Sequence, residues 1–267
     1  MAGYVCIGVP HFIGRLVAGR TEVNQIKASG FAAEIGAPWV DVTPDFSSGI
    51  DPVAAVNIAL AEAVSAHAGD IPLIFAADCV SCLGAMKGLE RHAPAIVWFD
   101  AHGDFNTPQT TPSGFLGGMP LAMLVGRGDL RLLRALDLQP VAEQDVILTD
   151  ARDLDPLESI ALRGSQVRHL LKVRELLTAP LPDRPLYVHL DTDVIDPAEM
   201  PGLGYPAPAG PSVEMVEAAL RRVVREGQPI GILFSLWNAT LTDDPRALAT
   251  TLRLARAFVN EVNHRAG

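Results

Sequence analysis

The sequence is poor in the features that mark secreted, membrane-spanning and nucleic-acid-binding proteins. Its 267 residues include only three cysteines, an odd number that does not make a disulfide framework. The first residues lack the basic flank and long apolar core of a signal peptide, and no run approaches 18 uncharged apolar residues. The formal net charge is -10, so neither nucleic acid nor a membrane is expected as a partner. These absences predict a soluble cytoplasmic protein.

Hydrophobic residues make up 49% of the chain, and apolar runs alternate with helical patterns along it. Predicted strands cover residues 3–9, 39–42, 71–76, 95–99, 146–149, 186–190 and 230–234. Predicted helices cover residues 52–67, 80–91, 120–125, 212–225 and 245–264, and a further helix is expected after Pro156. This alternation indicates βαβ units and a parallel sheet covered on both faces, an α/β class. No linker or repeat interrupts it, which favours a single domain over residues 1–267.

Polar chemistry is concentrated directly after the apolar run 95–99. Asp100, His102 and Asp104 alternate there with small residues. Side chains at i, i+2 and i+4 of an extended segment project to the same side, so two carboxylates and an imidazole should converge. Such a group favours a divalent cation, although a capped strand end or a solvated loop would show the same pattern.

A second apolar run, 185–190, repeats this design and ends in Asp191 and Asp193. Ligand sites of open parallel sheets lie at the carboxyl ends of the strands, which is where both clusters fall. Four carboxylates brought together would raise one another's pKa unless cations offset them, and two divalent cations cancel four negative charges. The charge count therefore favours a dinuclear site, while Asp-x-Asp followed by Asp-Pro is also common in turns.

The two motifs, residues 100–108 and 191–197, resemble the signatures of the ureohydrolases, the family of arginase, agmatinase and formimidoylglutamase. The resemblance runs from about residue 71 to residue 238. It implies a three-layer α/β/α sandwich with a mainly parallel sheet and a binuclear Mn²⁺ centre. A metal-bridging hydroxide would attack the carbon of a guanidino or other amidino group in a small-molecule substrate. Family members usually assemble as trimers or hexamers, so a homo-oligomer is expected.

Carried over residue by residue, the resemblance makes Asp100 and Asp191 bridging ligands of both cations. Asp104 would complete the ligand set of one cation and also serve in catalysis. His102 and Asp193 would complete the ligand set of the other cation. Carboxylates with one imidazole suit Mn²⁺ better than Zn²⁺. The task of the cations would be to lower the pKa of a bound water.

Three departures separate this sequence from the family pattern. Cys79 stands where a metal-binding histidine is expected, so it would either ligate through sulfur or stay a neutral thiol and leave one Mn²⁺ weakly held. With Asp104, it is a candidate catalytic residue. Gly117 takes the place of a proton-shuttling histidine, and Leu236 that of the carboxylate that grips the guanidinium. Plain arginine hydrolysis is therefore not the expected activity. Cys79 and the segment around Gly117 are similar to a branch that contains the Nω-hydroxyarginine hydrolase of D-cycloserine biosynthesis.

At the substrate end, Asn106 and Ser113 match positions that hold an amino-acid carboxylate, and Asp155 matches the position that holds the α-amino group. Ordinary turn chemistry would explain these residues equally well. Trp237 is expected either to shape the pocket beside Leu236 or to pack in the core.

Two functions from different classes remain open. The first is a metal-dependent hydrolase of a linear C–N bond in an amidino or hydroxyguanidino compound. The second is a ureohydrolase-fold protein that binds a ligand without turnover. A redox role for Cys79 and Cys82, formally a C-x-x-C, would leave the aspartates unexplained. His189 should share the face of Asp191, where it would be a supporting residue around the metal or a satisfied core histidine.

Overall fold

The computed structural model describes residues 3–266 and contains one large parallel sheet. The strands within this range are β1 (Tyr4–Val9), β2 (His11–Phe12), β3 (Arg15–Leu16), β4 (Trp39–Asp41), β5 (Ile71–Ala76), β6 (Ala95–His102), β7 (Val146–Asp153), β8 (Arg168–Leu170), β9 (Pro185–Asp191) and β10 (Gln228–Ser235). Eight of them form the sheet in the order β4-β1-β5-β10-β9-β6-β7-β8, with every neighbouring pair parallel. Strands β2 and β3 form a separate antiparallel pair.

Helices cover both faces of the sheet. They are α1 (Glu22–Ala28), α2 (Phe31–Glu34), α3 (Pro52–Ala66), α4 (Cys82–Leu89), α5 (Pro120–Leu124), α6 (Arg131–Leu136), α7 (Pro156–Arg163), α8 (Val213–Glu226) and α9 (Arg246–Ala266). Buried side chains of α1, α8 and α9 form one hydrophobic core against the sheet, and those of α3 to α6 form the other. The predicted three-layer α/β/α sandwich with a parallel sheet is confirmed.

The central strands bring the predicted site together. Strands β6 and β9 are hydrogen-bonded neighbours, with Trp98 beside His189 and Phe99 beside Leu190. Strand β10 lies on the other side of β9, and its Ser235 is beside Asp191. Parallel strands place their carboxyl ends at one edge of the sheet. The two acidic motifs therefore end side by side.

Several elements differ from the predictions. Strand β6 continues through Asp100 to His102 rather than stopping at Phe99, so the first ligand-type residues belong to the strand itself. Strand β8, helices α1, α2 and α6, and the β2–β3 pair were not predicted. They have two to seven residues each, too short for a hydrophobic period to stand out. No helix among residues 3–266 is long and apolar enough to cross a membrane.

Candidate metal centre

Asp100 is held inside the sheet by groups of its own strand. Its side chain is 1% exposed; one oxygen accepts a hydrogen bond from the His102 amide at 2.7 Å and the other from Trp98 Nε1 at 3.0 Å. A carboxylate buried to this extent is costly unless it is hydrogen-bonded and neutralised. The strand thus fixes the direction of Asp100 before any cation binds.

The end of β9 is locked to the end of β6. Asp191 accepts a hydrogen bond from the Asp193 amide at 2.8 Å, and Asp193 in turn accepts one from the Ala101 amide at 3.2 Å. The Asp193 carboxylate also lies 3.0 Å from His102 Nδ1, which is 3.4 Å from Asp100. Although burial disfavours a charged ring, the hydrogen bonds to Asp100 and Asp193 raise the pKa of His102 to about 12.

Asp104 carries the clearest sign that a cation belongs in this cluster. Its backbone has a φ of 48°, a left-handed conformation that aspartate tolerates better than most residues, and its side chain is buried. Its Oδ2 atom has no hydrogen-bond partner among residues 3–266. Burial and the neighbouring Asp100, Asp191 and Asp193 charges raise its pKa well above the usual range. A divalent cation would satisfy this oxygen and offset the repulsion.

Cys79 lies within the cluster. Its thiol donates a hydrogen bond to Asp191 at 2.8 Å and lies 3.2 Å from the Ser235 hydroxyl. Burial and the surrounding Asp191, Asp104 and Asp100 charges raise the pKa of the thiol well above 9. Without a cation, Cys79 is therefore a neutral thiol. A cation near Asp191 would reverse that balance and favour the thiolate.

Two groups of metal-type donors overlap at Asp100. One group is Asp100, His102 and Asp193, and the other is Cys79, Asp100 and His189; in each, the donor atoms lie within 4.8 Å of one another. Asp104 and Asp191 fall outside these tight groups, but the Asp191 charge acts on Asp104 and the Asp100 charge acts on both. The carboxylate-rich donor set fits divalent cations, with Asp100 shared between two positions.

The predicted substrate residues divide into two sets, one on loops (Asn106, Ser113 and Asp155) and one in the core (Leu236 and Trp237). Asn106 and Asp155 lie together, because the Asn106 amide donates to the Asp155 carboxylate at 2.9 Å. Ser113 is exposed on the loop after them, where its hydroxyl accepts from the Phe115 amide. Leu236 and Trp237 are 6% and 2% exposed and pack in the hydrophobic core on the α8–α9 side.

Aromatic rings border the exposed side of His102. The Tyr205 ring lies edge-on to His102 at 6.4 Å and also contacts Phe115 at 5.2 Å. A Cβ at Gly117 would lie 2.3 Å from the Phe115 ring, so this ring fills the space beside Gly117. An aromatic ring therefore occupies the space that a side chain at the position of the expected proton-shuttling histidine would enter.

Sequence patterns did not reveal two residues that shape the site. Arg152 donates hydrogen bonds to Asp150 and to four backbone carbonyls between residues 193 and 208, tying the loop after β9 to β7. Glu158 accepts hydrogen bonds from the Phe105 and Asp155 amides, which fixes the backbone next to Asp104. The contacts of Arg152 and the contact of Glu158 with Phe105 reach distant segments, and a local pattern carries no sign of them. The spacing of Asp155 and Glu158, by contrast, is that of a capping box, a signature that the sequence does carry.

Comparison with known proteins identifies the family of the chain. The family model described as Arginase family matches residues 39–259. The arginase of Bacillus caldovelox is 34% identical over 175 residues, covering 59% of this chain and 58% of that protein, and the arginase of Brevibacillus brevis is 34% identical over 178 residues, covering 60% of each. The chain thus aligns with less than two thirds of the length of these curated relatives.

Solved structures show the same fold along nearly the whole chain. A Bacillus subtilis arginase structure superposes with a TM-score of 0.84 at 24% identity, covering 96% of this chain and 98% of that one. A Bacillus subtilis formimidoylglutamase structure superposes with a TM-score of 0.75 at 16% identity, covering 98% and 87%. At these identities the structures establish an arginase-like fold, and the family model covers most of the sequence. The chain belongs to the arginase family.

Proposed function

We propose that this protein hydrolyses a linear C–N bond of an amidino compound with the help of two divalent cations, Mn²⁺ being the expected metal. The observation that carries the proposal is the pair of donor groups that share Asp100 at the ends of β6 and β9. When bound, the cations would lower the pKa of a water molecule and so supply a nucleophile near neutral pH.

The protein's own residues would hold the cations and handle protons. Asp100 and Asp191 would contact both cations, His102 and Asp193 would complete one position, and Asp104 with Cys79 the other. Asp104 would hold its cation through Oδ2, which has no other partner within residues 3–266, and its second carboxylate oxygen would accept a proton from the attacking water and return it to the leaving nitrogen. Asn106, Asp155 and Ser113 would bind the amino-acid end of the substrate.

The departures favour a substrate that is less basic than a guanidinium. Leu236 stands where the family resemblance predicts a carboxylate, and it lies in the core. Losing a charge-assisted hydrogen bond costs about 1.5–3 kcal/mol, or about ten- to a hundredfold in affinity. Phe115 fills the space beside Gly117, so a leaving group that needs a proton less urgently is favoured there. A hydroxyguanidine is less basic than a guanidine, and its leaving group needs a proton less urgently. Both properties support an Nω-hydroxyarginine-type substrate over arginine.

The direct test is urea or ammonia release from a substrate panel by Mn²⁺-loaded protein. The panel holds arginine, Nω-hydroxyarginine, agmatine, guanidinobutyrate and formiminoglutamate. Arginine is the reference substrate, because the similar proteins are named arginase. We expect kcat/KM for hydroxyarginine to exceed that for arginine at least tenfold. Turnover of none of the five above a metal-only background would favour the alternative, a family member that binds a ligand without hydrolysing it.

A pair of variants at Leu236 separates charge from shape. Leu236→Glu restores a carboxylate, whereas Leu236→Gln has nearly the same size without the charge. If the missing charge sets the preference, only Leu236→Glu should raise the arginine activity relative to hydroxyarginine. An equal ratio in both variants would mean that charge at this position does not select the substrate.

Assembly as a trimer or hexamer and a cytoplasmic location remain expectations from the family resemblance and composition. Light scattering of the purified protein would give the oligomeric state. A monomeric mass at micromolar concentration would contradict the expected assembly.

A further inference from the structure

His189 is a fully buried polar residue, and one of its two ring nitrogens has no hydrogen-bond partner within residues 3–266. It lies in β9 two residues before Asp191, and its side chain is 0% exposed. Its Nε2 atom has no hydrogen-bond partner within the described residues 3–266. Buried polar atoms are rarely left unpaired, because the lost hydration is not regained. This nitrogen therefore calls for a partner other than the protein itself.

The neighbours of His189 hold the ring in one orientation. The ring stacks on Trp98 with centroids 3.5 Å apart and an interplanar angle of 6°. The other ring nitrogen, Nδ1, lies 3.4 Å from the Tyr187 hydroxyl. Metal-bound histidines usually have the second ring nitrogen engaged in this way, which fixes both the tautomer and the direction of the ligating nitrogen.

Two further donors lie close to the ring. A ring nitrogen of His189, the Cys79 sulfur and an Asp100 oxygen all lie within 4.8 Å of one another. Donors around one tetrahedral cation are about 3.5 Å apart, so a modest contraction would close the set. Trp98 bonds to Asp100 while stacking on His189, which ties two of the three donors together.

We propose that His189 is a direct ligand of the cation beside Cys79, and that it supplies the imidazole that residue 79 lacks. The inference rests on the proposed function and deepens it, since it assigns one more ligand to the same centre. Thiolate, imidazole and carboxylate together suit a borderline-soft cation such as Zn²⁺ or Co²⁺. The position formed by Asp100, His102 and Asp193 instead suits Mn²⁺, so the two positions differ in metal preference.

Cobalt titration tests this inference without relying on activity. A thiolate bound to Co²⁺ gives a charge-transfer absorption in the near ultraviolet, which reports the Cys79 position alone. We expect the wild type to show this band and Cys79→Ser to lack it. His189→Asn, which keeps a polar group near Tyr187 but removes Nε2, should lose the band or need at least tenfold more Co²⁺. His102→Ala, at the other position, should keep it.

The outcomes separate this inference from the proposed function. An unchanged band in His189→Asn would overturn the role of His189 and leave the dinuclear hydrolase standing. Cation binding in the wild type without any thiolate band would overturn the three-donor set as well. Failure of every cation to bind would overturn both proposals.

Crystals of the wild type soaked in Co²⁺ give a second test, which holds even if His189→Asn does not fold. An anomalous peak about 2.0–2.1 Å from His189 Nε2 is the expected result. A peak at Cys79 that is beyond bonding distance of His189, or an ordered water alone at Nε2, would refute the assignment.

Discussion

Replacing Asp193 with asparagine should make the metal-free protein more stable near neutral pH. Burial and the neighbouring Asp100 charge raise the pKa of Asp193 from 3.8 to about 6, a value that already includes its favourable contact with His102. One pKa unit corresponds to about 1.4 kcal/mol, so ionised Asp193 costs the folded state about 3 kcal/mol. Asparagine resembles the protonated acid in shape and avoids this cost.

The pH dependence gives the sign of the effect. A carboxyl whose pKa is raised in the folded state binds its proton more tightly there than in the unfolded state. The stability that this protonated carboxyl contributes is fully present below the unfolded pKa, about pH 4, and is lost as the pH rises through the folded pKa of about 6. The wild type and Asp193→Asn should therefore be similarly stable at pH 4. They should differ by up to about 3 kcal/mol at pH 7.

Urea unfolding of chelator-treated protein at both pH values measures this difference. Asp137→Asn is the matched control, because the same chemical change falls on a side chain that is 92% exposed and should shift stability by less than about 0.5 kcal/mol. With Mn²⁺ present the order should reverse, since Asp193→Asn removes a predicted ligand. A variant less stable than the wild type at pH 7 without metal would refute the electrostatic reasoning.

Three further changes test the scaffold and the metal. Arg152→Lys should lower the free energy of unfolding by about 2 kcal/mol in urea titrations, because an ammonium group cannot make all five hydrogen bonds of the guanidinium. The control Arg131→Lys, at an 83% exposed side chain, should change the free energy of unfolding little. Gly103→Ala should cost about 1–3 kcal/mol, since the new Cβ would lie 2.6 Å from Glu158 Oε1, whereas Gly204→Ala has nothing within 4 Å and should be near neutral in the same assay. Removing the cations with a chelator should lower the melting temperature, and restoring Mn²⁺ at about a hundred times its Kd should return about 2.7 kcal/mol per independent position; a melting temperature unaffected by metal would contradict the assignment of the site.

The sequence was most informative where apolar strands end in charge. Continuous apolar runs located β5, β6 and β9, and the position of Asp100 and Asp191 directly after two of these runs predicted that both would lie at one edge of the sheet. The structure places them there. This worked because parallel strands place their carboxyl ends at one edge of the sheet. The expected extended alternation ends earlier than predicted, because Asp193 lies in a 3-10 turn and Asp104 has a left-handed backbone.

Long-range contacts were beyond the reach of the sequence. Arg152 bonds to a loop more than 40 residues away. The Trp98 ring stacks on His189 of the neighbouring strand, and the Tyr187 hydroxyl lies beside the same His189 ring; the sequence does not give the strand register that allows this stacking. His189 was placed on the face of Asp191, but its unpaired nitrogen became visible only with its surroundings. The occupation of the space beside Gly117 likewise depends on the position of the Phe115 ring.

The number of divalent cations per chain tests the central claim most directly. Mass spectrometry of metal content after loading with Mn²⁺ and Co²⁺ together, followed by gel filtration, should find two divalent cations per wild-type chain. Asp191→Asn, which removes a predicted shared ligand, should retain fewer than one. A wild-type protein that retains no cation at neutral pH, or an Asp191→Asn variant that retains as many as the wild type, would contradict the account.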